Sequence, residues 1–273
     1  MDNINENETD LIKSYAKQVP VITIARLLGI PEEMSDQLLK WSNSMVAVYQ
    51  ANISEKGKDL ANQSSKEFFQ YIKKYVAERR SKPADDLITH LINAEEDNQK
   101  LNFDELVSTC ILLLNAGHEA TVHTIGNGIK AILLHKVDCR FLEEKEWHSI
   151  IEEILRYDPP LHIFTRFAYE DVTVDDLQIA RGEKISLVIG ASGHDESRWD
   201  KPSEFTPNRR PLTHNSFGAG AHFCLGAPLA RLEINLALKN LFDKKRHIKI
   251  LQKPEYADIY HFHGLKSLNV EMR

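Results

Sequence analysis

Ser216-Phe217-Gly218-Ala219-Gly220-Ala221-His222-Phe223-Cys224-Leu225-Gly226 is the stretch that decides how this chain is read. A single cysteine sits in a glycine-punctuated loop. An aromatic residue, Phe217, precedes it by seven positions, and an amphipathic run from Leu225 to Leu241 follows directly. A thiolate at a helix N-terminus is favoured by the helix dipole and by backbone N–H groups aimed at the sulfur. Glycines at 218, 220 and 226 let the backbone come close to something large and flat.

Working outward, the first two-thirds of the chain reads as helix. Val19 to Leu28 has a helical apolar rhythm that Gly29 stops. Pro31 opens a second helix running to about Tyr49. Lys56 to Arg80 is long and amphipathic, with Phe68, Phe69, Ile72 and Val76 on one stripe. A short helix over Asp85 to Ala94 and a polar loop follow. Asn102 then caps a very long helix from Phe103 to about Leu134. Trp147 to Tyr157 is a further helix, ended by Asp158-Pro159-Pro160. The pattern changes after that. Phe164 to Ala168, Val172 to Val174, Leu177 to Ile179 and Ile185 to Ile189 read as short strands. Gly193 to Asn215 has little periodicity, an unusually long irregular segment of the kind that is often functional. His247 to Leu251 and Ser267 to Glu271 are strand candidates in the tail. The expectation is a mainly α protein with small β-sheets, one domain over residues 1–273.

Composition narrows the class. The 273 residues are 42% hydrophobic and 27% charged, with a net charge of −6. Nothing there favours nucleic acid or an anionic membrane. Cys110, Cys139 and Cys224 are odd in number and far apart, so no disulfide framework is expected and a reducing cytoplasm fits. Met1 to Asp10 is acidic and polar, unlike a signal peptide. The longest apolar stretch, near Ile111 to Leu114, is too short to span a bilayer.

The spacing F-x-x-G-x-x-x-C-x-G resembles the haem-thiolate loop of the cytochrome P450 family, in its soluble bacterial type. The resemblance implies the cytochrome P450 fold, haem b as cofactor and Cys224 as proximal ligand to the iron, its thiolate favouring O–O cleavage. Phe217, Gly218 and Gly226 belong to the same haem-binding loop. It further implies insertion of one oxygen atom from O₂ into a small apolar organic substrate. Electrons would come from a ferredoxin or flavodoxin type donor with its NAD(P)H reductase, since no flavin or iron–sulfur motif is present.

Other residues take roles from the same resemblance. Glu153 and Arg156 form an E-x-x-R pair on one helical face, with Arg209, or alternatively Arg210, as the third member of a structural triad. Arg166 and His222 match positions that hold the haem propionates. The stretch Ala116-Gly117-His118-Glu119-Ala120-Thr121 resembles the family's A-G-x-[DE]-T on the helix that crosses the distal haem face. There Ala116 and Gly117 leave room for dioxygen, Glu119 relays protons, and an alcohol follows. This chain departs from the pattern. Ala120 replaces the expected Thr, and Thr121, roughly 100° further around the helix, is the alcohol expected to serve the proton relay with Glu119. The remaining histidines, His118, His123, His214, His261 and His263 among them, lack the spacing of a metal motif.

The resemblance runs from about Leu11 to the end and begins only after the family's first helices and much of its first sheet. The expectation is a family member lacking the N-terminal third, with apolar surface left open. The alternative is a non-catalytic remnant without monooxygenase activity.

Overall fold

The computed structural model describes residues 8–50, 52–93, 95–96, 99–140, 142–210, 213–245, 247–258 and 262–272. His261 lies outside them. The chain opens with strand β1 (Thr9–Asp10) and a single π-helical turn, Ile12–Ala16. Helices α1 (Gln18–Leu28), α2 (Ser35–Val46), α3 (Glu55–Ser81) and α4 (Leu87–Asn93) follow. Strands β2 (Glu95–Glu96) and β3 (Gln99–Lys100) precede the long helix α5 (Phe103–Leu134) and then α6 (Glu144–Tyr157). Strands β4 (Phe164–Phe167), β5 (Val172–Val174), β6 (Leu177–Ile179) and β7 (Lys184–Leu187) lead to the one-turn α7 (Ile189–Ser192). The chain closes with α8 (Ala227–Lys244), β8 (Ile248–Ile250) and β9 (Asn269–Met272).

Local chemistry sets most of these boundaries. Gly29 ends α1 in the left-handed conformation, φ 77°, which costs glycine nothing. The Ser54 side chain accepts from Gly57 N at 3.1 Å and starts α3. Asn102 and Glu105 form a reciprocal capping box that starts α5. Glu143 and Glu146 do the same for α6, which therefore begins three residues before the predicted Trp147. The helix expected from Pro31 to Tyr49 is broken at both ends into 3-10 turns, Glu32–Met34 and Ala47–Tyr49. The strand expected to reach Ile189 stops at Leu187. Gly190 N there donates to His162 O at 3.1 Å, which curls the chain into α7.

The sheets are small and antiparallel: β2 with β3, β4 with β7, β5 with β6, and β9 between β1 and β8. Thr9 pairs with Val270, so the first and last described strands meet. Among the described residues two apolar cores are strung along α5. The first half of α5 packs with α1 to α4 around Leu28, Phe68, Ile72 and Leu114. The second half packs with α6, α8 and the C-terminal strands around Ile129, Trp147, Ile154 and Leu238. Gly128 is the crossing point. A Cβ there would lie 2.9 Å from Ile154 Cδ1 and 3.4 Å from Leu238 Cδ1, so the tips of both side chains pack against bare backbone of α5. No helix among the described residues is long and apolar enough to cross a membrane.

Candidate cofactor site around Cys224

The loop before α8 is held by its own backbone. Cys224 N donates to Phe217 O at 2.9 Å, and Phe223 N donates to Gly220 O at 3.0 Å. Gly218 (φ 74°) and Gly220 (φ 67°) take left-handed conformations that a side chain would strain. A Cβ added at Gly220 would meet nothing within 4 Å. The loop therefore presents bare backbone to open space. The Cys224 thiol is half-buried, while Cys110 and Cys139 are buried in the cores, where burial pushes both thiols up to about 12. Cys224 is thus the cysteine placed to bind something.

The triad joins α6 to the irregular segment that precedes the loop. Arg156 grips Glu153 through Nε (2.8 Å) and Nη2 (2.7 Å), and Arg209 Nε reaches both carboxylate oxygens at 3.2 Å. Arg210 is exposed, so Arg209 is the third member. The two guanidinium groups also donate to backbone carbonyls of the irregular segment. Arg156 takes Gly193, Pro202 and Glu204, and Arg209 takes Asp200, Lys201 and Glu204. Five carbonyls of that segment are thus satisfied by side chains rather than by regular secondary structure.

A second cluster, absent from the sequence reading, braces the loop itself. Arg231 on α8 makes two bonds to Glu152 (2.6 and 2.9 Å), and its guanidinium lies 4.5 Å over the Phe217 ring. His214 Nε2 sits 3.1 Å from Glu152 Oε2, and Ser216 Oγ donates to Leu155 O at 2.6 Å. Burial pushes the Glu152 carboxyl up, but Arg231 and His214 outweigh it and hold it at about 2. The only local signal is that Glu152 neighbours Glu153; its partner is 79 positions away.

On α5, Leu112 and Ala116 form an exposed apolar stripe one turn apart, with half-buried Ala120 next along it. Thr121 does not join them. It is 4% exposed and its hydroxyl donates to Gly117 O at 3.1 Å, so the alcohol is turned into the core. Glu119 lies beside the stripe, 3.3 Å from His123 Nε2 and 3.8 Å from His118 Nδ1. Burial pushes its carboxyl up, but the two imidazoles prevail and hold it below the usual range. His118 is also lowered, by burial, which favours its neutral form. Arg166 and His222 are both exposed; Arg166 Nη1 donates to Thr165 O.

The family model "Cytochrome P450" matches residues 29–139 and 147–256. The chain is 40% identical to "Polyketide biosynthesis cytochrome P450 PksS" of Bacillus subtilis (strain 168), over 98% of this chain and 66% of that protein. It is 32% identical to "Biotin biosynthesis cytochrome P450" of the same organism, over 97% of this chain and 68% of that one. The fold superposes with TM-score 0.91 on P450BioI, solved with a hexadec-9Z-enoic acid ligated acyl carrier protein, covering 97% of this chain and 69% of that one at 32% identity. Against CYP109E1 from Bacillus megaterium, solved with testosterone, the TM-score is 0.89, with 97% and 72% covered, again at 32% identity. The chain spans about two thirds of the length of the curated relatives it matches.

Proposed function

The chain belongs to the cytochrome P450 family, and on that premise we propose that it is a haem-thiolate monooxygenase. In this reading it inserts one oxygen atom of O₂ into an apolar organic substrate. Its electrons come from a separate ferredoxin or flavodoxin type donor with an NAD(P)H reductase. Residues 1–273 act as one unit, because both cores share α5. The observation that carries the reading is the Cys224 loop, with its open glycines and braced aromatic.

The family's cofactor is iron protoporphyrin IX, and the residues present fit it. Cys224 offers a soft sulfur donor on a loop whose Gly220 faces open space. Large apolar side chains stand uncovered on the loop and elsewhere: Phe223 is 51% exposed, Leu225 91% and Leu112 65%. A broad apolar group would cover such surface. Cys224 would be its iron ligand, with Phe217, Gly218 and Gly226 shaping the loop, Ala116 leaving room on α5, and Arg166 and His222 taking the propionates. Haem, when bound, supplies reductive activation of O₂.

The protein's own part is the proton. Glu119, held below the usual carboxylate range, is ionised at neutral pH, so its carboxylate can accept a proton and hand it on. Thr121 has its hydroxyl committed to Gly117 O and is left out of this relay. Ala120 brings no hydroxyl, so a water or a hydroxyl of the substrate fills that place. The test is turnover with NADPH, a surrogate ferredoxin and its reductase under ¹⁸O₂. Fatty acyl and steroid probes suit it, being the classes that P450BioI and CYP109E1 hold in their structures. One ¹⁸O atom in an NADPH-dependent product supports the reading. Haem-loaded protein that oxidises none of the probes contradicts it.

A further inference from the structure

His123 lies one turn beyond Glu119 on α5, outside the stretch that carries the family resemblance. It is 8% exposed, and its Nε2 sits 3.3 Å from Glu119 Oε2. The other carboxylate oxygen, Oε1, lies 3.8 Å from Nδ1 of the buried His118. Glu119 thus has an imidazole at each oxygen, and little of its side chain is exposed. The His123 ring is itself held from outside the helix. A Cβ at Gly264 would collide with Nδ1, Cγ and Cε1 of that ring, so the imidazole lies directly on bare backbone of the C-terminal segment. Gly264 is not in the left-handed region, so the ring is what a side chain there would violate. The Phe262 ring packs on the imidazole with centroids 5.7 Å apart. Asn127, one turn further along α5, donates to His263 O at 3.0 Å and pins the same segment to the helix. Nδ1 of His123 is buried with no hydrogen-bond partner among the described residues, which leaves Nε2 as the nitrogen whose proton has an acceptor.

We propose that His123 is a positioning residue for Glu119: Gly264 seats its ring, and Nε2 holds the carboxylate along α5 beside the apolar stripe of Leu112, Ala116 and Ala120. The placement stands on geometry, and the role rests on the proton-relay reading of Glu119 given above. A carboxylate this far from water keeps its charge only where donors meet it. Burial pushes the Glu119 carboxyl up; the hydrogen bond from His123 is the largest effect opposing it, and His118 and Lys17 add to that. Residues four apart on a helix face are neighbours, so His123 reaches the carboxylate without any change of backbone. A side chain at position 264 would push the ring off its seat and take the partner of Oε2 with it. His123 itself transfers no proton in this account. It fixes where the accepting oxygen stands.

The experiment compares the full wild-type chain with His123→Leu, His123→Gln and Gly264→Ala. Gln suits it because its amide nitrogen falls near the place of Nε2 and donates without titrating. The first readout needs no turnover: ¹³C-carboxyl NMR of glutamate-labelled protein, with the Glu119 signal assigned by its loss in Glu119→Gln. His123→Leu should move that titration up by about 1 pH unit or more, and His123→Gln should return it most of the way. Gly264→Ala should move it in the same direction as His123→Leu, which keeps the test if the latter does not fold. The second readout is a melting cycle. Gly264→Ala should lower the melting temperature of wild type, and lower it less in a His123→Ala background, where the ring it strikes is gone. The third is product formed per NADPH consumed, which should fall in His123→Leu and recover in His123→Gln with KM unchanged. A Glu119 titration untouched by His123→Leu and Gly264→Ala, or a Gly264→Ala cost that is the same with and without the ring, would overturn the placement. A shifted titration with unchanged coupling would overturn the role. A wild type that oxidises nothing contradicts the monooxygenase reading instead, and the first two readouts still decide His123.

Discussion

Glu152 and Arg231 join α6 to α8 by a bidentate ion pair at 2.6 and 2.9 Å, and the same guanidinium lies 4.5 Å over Phe217. Phe217 O in turn accepts from Cys224 N. The position of the cysteine therefore depends on a carboxylate with no place in the E-x-x-R pair. Its carboxyl falls from an ordinary 4.5 to about 2, so its contribution to stability is full above pH 4.5 and lost as pH falls through about 2. At about 1.4 kcal/mol per pH unit, Glu152→Gln should cost roughly 3 kcal/mol at pH 7. Urea unfolding at pH 7 and pH 3 measures it. The gap between variant and wild type should narrow at the lower pH, and a gap independent of pH would contradict the assignment.

The Glu153 triad should be less forgiving. Glu153 and Arg156 are each 1% exposed, and Glu153→Ala leaves two guanidinium groups without their carboxylate. Breaking a buried pair in this way costs about 3–5 kcal/mol. The variant should be insoluble or free of haem. Recovery of soluble, haem-loaded protein with a wild-type melting temperature would remove the triad from its structural role.

Glu233 on α8 should behave in the opposite sense to Glu152. Its Oε1 is buried without a hydrogen-bond partner, and burial raises the carboxyl to about 7, against a smaller opposing effect of Thr23. Between pH 4.5 and 7 the unfolded chain ionises while the folded one stays protonated, so stability falls as pH rises through that window. Glu233→Gln should stabilise the protein at pH 8, by up to about 3 kcal/mol, and have little effect at pH 4. Equal melting shifts at both pH values would refute the buried acid.

Proton handling on α5 makes a prediction about coupling. Ala120→Thr supplies the missing hydroxyl and should raise the product formed per NADPH consumed, with less hydrogen peroxide released. Glu119→Gln removes the acid and should lower that ratio. Both hold for substrates that carry no hydroxyl of their own. If neither variant changes the ratio, this stretch does not manage the proton.

Much of this was legible locally. Asn102, Glu105 and the apolar rhythm after them define α5 to its end residues. Helical geometry moves Thr121 off the position of the expected alcohol, yet the sequence left it beside Glu119 as a relay candidate; in the structure its hydroxyl donates to Gly117 O. What was not legible is non-local. β1 forms only because Thr9 meets Val270. Glu152 becomes a brace only because Arg231 arrives from α8. His162 and His263 come together only after α6 and the C-terminal segment have packed. Ile189 has strand character, but the bond from Gly190 N to His162 O overrides it.

The central claim, that Cys224 ligates haem iron as thiolate, is tested most directly by the absorption spectrum of the reduced, CO-bound protein. Wild type should show the red-shifted Soret band of a thiolate-ligated haem, and Cys224→Ala should lose it. A variant that keeps the band, or a haem-loaded wild type that never shows it, would contradict the account.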